Sequence, residues 1–170
     1  MVVAADRKSA PDSKLRQLIE GYVQTAHMMQ LASASGGQPW CCTVYFVPDE
    51  DLNLYWISVP GRRHSREIAR HGKVAAAIPI RYTPGQPVVG VQVEGDAERV
   101  GDSETLKLGA RLYDERFRHD DNFYEDFVND RRQHKFYRLR PRLFVLFDEV
   151  TFPENTRREW RPSTSPAAAG

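Results

Sequence analysis

A closed, mainly antiparallel β-barrel with flanking helices is the fold class this sequence predicts. Two observations carry that expectation. Six segments read as strands, and only the link between the third and the fourth contains a crossover helix, whereas a doubly wound parallel sheet needs a helix in nearly every link. The segment 88–100 also alternates Val89, Val91 and Val93 against Gly90, Gln92 and Glu94, the period of two of a half-buried strand.

Taken in order, Leu15, Leu18, Ile19 and Tyr22 recur at helical spacing behind Asp12 or Ser13 as N-cap, which predicts a helix over 12–25. A strand over 28–33 and a turn at Ser35-Gly36-Gly37-Gln38-Pro39 follow. The run from Trp40 to Val47 is β-branched, aromatic and apolar at nearly every position, as expected of a strand covered on both faces. Pro48 to Asp51 turns the chain into a third strand over 52–58, Pro60-Gly61 breaks it, and 63–70 reads as a short helix with Ile68 and Ala69 facing inward. A fourth strand spans 73–80. In the fifth, 88–100, Gly95 marks a bulge or bend. Helices over 102–118 and 122–131 and a last strand over 136–151 complete the pattern, and no internal repeat is visible.

The chain has 170 residues, and 24 Lys and Arg against 23 Asp and Glu leave a formal net charge of +1. That balance offers no general attraction for nucleic acid or a membrane surface. One domain of this length removes roughly 70% of the unfolded chain's surface from water, enough for a core without staples. The two cysteines, Cys41 and Cys42, are adjacent on a strand and so point to opposite faces, which disfavours a disulfide and suits a reducing cytoplasm. They lack Cys-x-x-Cys spacing and read as small buried hydrophobes. No run reaches the ~18 apolar residues of a membrane helix, and the first residues lack the apolar core of a signal peptide. Composition divides the chain into a mobile segment 1–12, a barrel domain 13–152 carrying the helical insert 102–131, and a flexible tail 153–170.

Chemistry concentrates in Leu54-Tyr55-Trp56-Ile57-Ser58-Val59-Pro60-Gly61-Arg62-Arg63-His64-Ser65-Arg66-Glu67-Ile68. A strand ends, a Pro-Gly turn follows, and a helix begins among three arginines that oppose its macrodipole. Helix-start amides, the Ser58 hydroxyl and the forks of Arg62 or Arg63 would cradle a phosphate dianion. A solvated basic face accounts for the same spacing, which is no Walker loop.

Other candidates are weaker. His27, His64, His71, His119 and His134 form no zinc pattern, so no metal site is expected, although one of them would serve as an axial haem ligand without leaving a sequence signature. Glu94, Asp96 and Glu98 share a strand face and read as solvated rather than catalytic. Tyr113, Phe117, Phe123, Tyr124 and Phe127 form an aromatic stripe, read as core or subunit packing before a wall over a bound ring. Trp160 either folds back over a site or stays in the flexible tail.

The segments Met29-Gln30-Leu31-Ala32, Pro39 to Phe46, Leu54 to Ser58, Arg62 to Ile68, Lys73-Val74-Ala75 and Val91 to Glu98 together resemble the pyridoxamine 5'-phosphate oxidase-like family of FMN-binding split barrels. The resemblance implies a six-stranded antiparallel split β-barrel and a homodimer with the cofactor at the subunit interface. It places Cys42, Thr43, Val44 and Tyr45 along the flavin ring, Ser58, Arg62, Arg63 and His64 at the phosphate, and Gln92 as a further contact. At positions where the family carries Ser, Arg and Lys, Arg62 and His64 depart from the usual types. The arginine and the C-terminal substrate segment of true pyridoxamine phosphate oxidases have no counterpart. The expectation is therefore an FMN-dependent oxidoreductase that passes a hydride through flavin N5 to or from another small organic substrate. The alternatives are F420 in place of FMN, or a non-catalytic flavin- or haem-binding module.

Overall fold

The computed structural model describes residues 9–118 and 121–163. Its elements are α1 (Ser9–Thr25), β1 (Met28–Ser35), β2 (Gln38–Tyr45), β3 (Val47–Pro48), β4 (Leu54–Ser58), α2 (Arg63–Arg70), β5 (Lys73–Arg81), β6 (Val89–Arg99), α3 (Ser103–Phe117), α4 (Phe123–Val128), β7 (Lys135–Asp148) and β8 (Arg157–Trp160). The strands form one antiparallel sheet in the order β2-β1-β5-β6-β7-β4-β3, with β8 added to β7. The mainly β, antiparallel class is as the sequence predicts, with eight strands rather than six. The two extra ones are the two-residue β3 and the late β8.

The sheet curls around a core in which Ile19 and Val23 of α1, Leu31 of β1 and Trp56 of β4 are wholly buried. Trp56 stacks on Tyr137 with ring centroids 5.6 Å apart. Gly36 and Gly37 join β1 to β2 with φ of 59° and 78°, the paired positive φ of a tight hairpin turn that explains the Gly-Gly. At Gly95 the β6–β7 register shifts, and a Cβ there would meet the Arg140 carbonyl oxygen at 2.2 Å, so only glycine fits the predicted bulge. A second apolar cluster forms where Tyr113, Phe123 and Phe127 of the insert pack on Tyr55 and Phe136. The aromatic stripe is core.

Four expectations are corrected. β2 is no doubly covered strand: it lies at the sheet's edge and most of its residues are exposed, because composition cannot tell a buried run from one left open. Cys41 is accordingly exposed and Cys42 only half-buried. On α2 the inward residues are His64, Ser65, Glu67 and Ile68, while Ala69 faces water, since polar partners across the helix hold its polar side in. The helix predicted to start at Asp12 or Ser13 starts at Ser9. The 153–170 tail is not flexible throughout: residues 157–160 pair with 144–147, and Trp160 packs on Phe144 with centroids 5.6 Å apart, a long-range contact that composition does not encode. Residues 1–8 and 164–170, also assigned to mobile ends, lie outside the described residues. No helix among the described residues is long and apolar enough to cross a membrane.

Candidate functional site

The seam of the curled sheet builds the site. β2 pairs only with β1, and β4 with β3 and β7, so β2 and β4 approach without sharing a ladder. A cleft of about 420 Å³ opens between them, within the usual range for small-molecule sites. Thr43, Val44 and Tyr45 line it from β2, and Ser58, Arg62 and His64 from the end of β4 and the start of α2. Six of the nine residues predicted to bind a cofactor therefore meet in one cavity. Ile57, Val59, Tyr113 and His134 complete it.

Cys42 stands just behind this wall, its Sγ 3.3 Å from His64 Nδ1. The opposite ring nitrogen, Nε2, lies 2.8 Å from the Ser58 hydroxyl, which also accepts a 3.0 Å bond from Ser65. Burial, and next the charge of Arg62, hold the His64 pKa below 6.5, with Glu67 opposing. Burial and the neighbouring Cys41 and Glu67 push the Cys42 thiol up. The pair is thus a neutral thiol and a neutral imidazole at pH 7, not a reactive thiolate. We assign Nε2–H as the donor to Ser58 and the thiol as donor to Nδ1, because this gives each proton an acceptor. With both nitrogens engaged, His64 has no free N–H to offer an anion.

The three arginines behave differently. Arg63 turns back along α2, its Nε 2.8 Å from Glu67 Oε1, and lies 4.5 Å over the Trp40 ring. Glu67, buried, also accepts a 2.6 Å bond from Ser33 of β1, and these two donors, Ser33 first, hold its carboxyl below 4.5. Arg66 donates to the Gly61 carbonyl. Arg62 makes no side-chain hydrogen bond or ion pair among the described residues and projects, exposed, at the cleft. It is also the N-cap of α2, with no side-chain cap and no acid in the first turn. The first-turn amides are therefore left for an outside acceptor. Sequence placed all of Ser58, Arg62, Arg63 and His64 in one role. The structure separates Arg62, which faces the cleft, from Arg63, which bonds to Glu67 on its own helix and lies over Trp40 of β2.

Gln92 sits on the exposed face of β6, paired with Ala77 and Val145 and outside this cleft. Tyr113 and His134, which the sequence singled out for other reasons, arrive by different routes: Tyr113 on α3 of the insert, and His134 because the next residue, Lys135, pairs with Ser58 at the end of the β4–β7 ladder. Burial and Tyr45 push the Tyr113 hydroxyl up to about 12, so it remains a neutral donor. Glu94, Asp96 and Glu98 pair with Arg142, Lys73, Arg138 and Arg140 on the outer surface, as a solvated face does. No group of three or more His, Cys, Asp or Glu is placed to hold a metal among the described residues.

The cleft suits a ligand with a flat apolar body and an anionic end. Val44, Ile57 and Tyr113 offer apolar walls, and Arg62 with the α2 amides offers anion donors at one end. The ladder-free side of β2 supplies unpaired backbone groups between them.

A family model described as pyridoxamine 5'-phosphate oxidase matches residues 15–145. A UPF0306 protein of Photorhabdus laumondii is 26% identical over 102 residues, which are 59% of this chain and 71% of that protein. Among solved structures, HutZ, the heme storage protein of Vibrio cholerae, superposes with a TM-score of 0.60 at 20% identity, covering 75% of this chain and 89% of its own. An FAD-binding protein of Mesorhizobium loti superposes with a TM-score of 0.56 at 19% identity, covering 76% and 89%. At these identities the two structures show a shared fold.

Proposed function

The chain belongs to the pyridoxamine 5'-phosphate oxidase family, and from that premise we propose that it is a homodimeric flavin-dependent oxidoreductase holding FMN in the seam between β2 and β4. The observation that carries this reading is the convergence of Arg62, without a side-chain partner among the described residues, and the uncapped α2 start on a cleft that Val44, Ile57 and Tyr113 also wall. When bound, FMN supplies hydride transfer to or from a small organic substrate. Arg62 and the first-turn amides of α2 hold the phosphate. Ser58 and Cys42 fix the plane of His64, which closes the floor behind it. Val44, Ile57 and Tyr113 exclude water around the ring, and the free backbone edge of β2 meets its polar rim. A second copy of the chain covers the open side. Exposed Met28, Trp40 and Tyr45 on and beside the unpaired edge of β2 support that assembly, since long apolar edges are otherwise hazards.

The test is the absorption spectrum of the purified chain and its titration with FMN, FAD, F420 and haem, with and without Arg62→Glu. Stoichiometric FMN binding lost in the variant, together with turnover of reduced nicotinamide above that of free FMN, supports the proposal. Failure to bind any flavin overturns it. A second reading, a haem-binding module, is favoured by one observation: the exposed imidazole of His134 opens into the same cleft. A Soret band that is lost in His134→Ala would select it.

A further inference from the structure

A second cavity, of about 440 Å³, lies where the end of β6, the start of α3 and the start of β7 meet beneath the helical insert. Its charged lining is Arg99, Arg132 and Lys135 against a single carboxylate, Asp130, so three cations face one anion. These charges are not equally engaged. Lys135 is bound to Asp130 and to the Arg132 carbonyl. Arg132 is held 3.4 Å from Asp126 and lies over the rings of Phe123 and Phe127, at 5.2 Å and 5.8 Å, which fixes its guanidinium in place. Arg99 makes no side-chain hydrogen bond or ion pair among the described residues. Besides His134, the rest of the wall is apolar: Val100 and Leu106 are half-buried there, Phe127 and Phe136 lie almost wholly buried behind them, and Gly101 contributes open space at the lining.

The geometry points to a binding site in this cavity for a small anion with an apolar body, a carboxylate or a phosphate monoester, whose charged end meets Arg99 and whose body lies against Val100 and Leu106. Clustered cations above an apolar floor recognise that chemistry, because the charge is paired while the body leaves water. His134 lines both this cavity and the seam cleft, so a ligand seated here stands against the wall of the flavin site. That the ligand is the substrate rests on the flavin reading. The anion site itself does not.

The test uses the full chain, free of flavin and labelled with 15N, titrated separately with benzoate, phenyl phosphate and neutral benzyl alcohol. Either anion should shift the amides of Arg99, Gly101 and Lys135 saturably, and the stronger of the two identifies the preferred end group. Benzyl alcohol should shift them much less. Arg99→Glu should weaken binding about tenfold or more, the scale of one charge-assisted hydrogen bond, and Arg62→Glu should leave it unchanged. Shifts confined to the α2 start, an equal response to benzyl alcohol, or indifference to Arg99→Glu would overturn the site. Saturable shifts in a chain that binds no flavin would keep the site and remove its role as substrate pocket.

Discussion

Arg63 is bonded to Glu67 one turn ahead of it on α2, Nε to Oε1 at 2.8 Å, whereas the adjacent Arg62 makes no side-chain hydrogen bond or ion pair among the described residues. Two neighbouring arginines of the same type therefore differ: one is held in an ion pair, and the other lines the cleft.

Single charge reversals should separate them. Arg62→Glu should abolish FMN retention with an unchanged melting temperature. Arg63→Glu should set two carboxylates together and cost about 1–3 kcal/mol of stability, the usual penalty for unpairing a buried polar group. Flavin fluorescence titration and thermal unfolding of both variants check this. Equal loss of FMN affinity with equal stability would place both at the phosphate.

Ser33→Ala should destabilise by about 1–3 kcal/mol in urea unfolding, because Glu67 Oε2 loses its buried donor. Glu67 has a folded pKa below the ordinary 4.5. Its contribution is therefore present above that value and lost as pH falls through the lower folded one. The acid limb of the stability curve should be shallower in Ser33→Ala.

His64 acts at higher pH. Its folded pKa lies below 6.5, so above 6.5 both states are neutral and the full stability is present. As pH falls from there toward the depressed folded value, the unfolded chain binds a proton that the folded chain refuses, and stability declines. His64→Gln should remove that limb and leave the one due to Glu67. An imidazole titration followed by NMR should give a midpoint under 6.5 for His64, and a midpoint above it would contradict the buried, doubly bonded ring.

Gly95→Ala should cost at least about 2 kcal/mol, since its methyl would overlap the Arg140 carbonyl and the ladder on both sides has no slack. The cost should show as a lower urea midpoint with an unchanged slope.

Trp160→Ala should cost about 1–2 kcal/mol, less than a fully buried tryptophan because the ring is only half-covered over Phe144. Unchanged stability would mean that β8 is not held to the sheet in solution.

The strands from β4 to β7 and the helices α2 and α3 were legible to within a few residues, because alternation, short apolar runs and helical spacing are local signals. β8 was not. Its four residues carry no period of their own, and Arg157 and Glu159 read as tail until β7 offers a ladder. The edge position of β2 was equally hidden, since an apolar run reads the same whether the sheet or another surface covers it. At the site, the basic turn with Ser58, Arg62 and Arg63 was visible from residue type and spacing, whereas the β2 segment and His64 entered only through the family resemblance. The split between Arg62 and Arg63 was not, because it depends on where Glu67, Ser33 and Trp40 fall in space.

From residue order alone came the antiparallel class, the glycine turn and bulge, and the basic turn opening α2. Each leaves a mark within a few residues, in periodicity or residue type, and that mark is written in the chain. Which strands bound the open seam, which histidine nitrogens are occupied, how Tyr113 and His134 come to face β2, and where a second set of cations collects under the insert were decided by tertiary structure. These features join residues tens of positions apart, and only the closing of the core brings them within bonding distance.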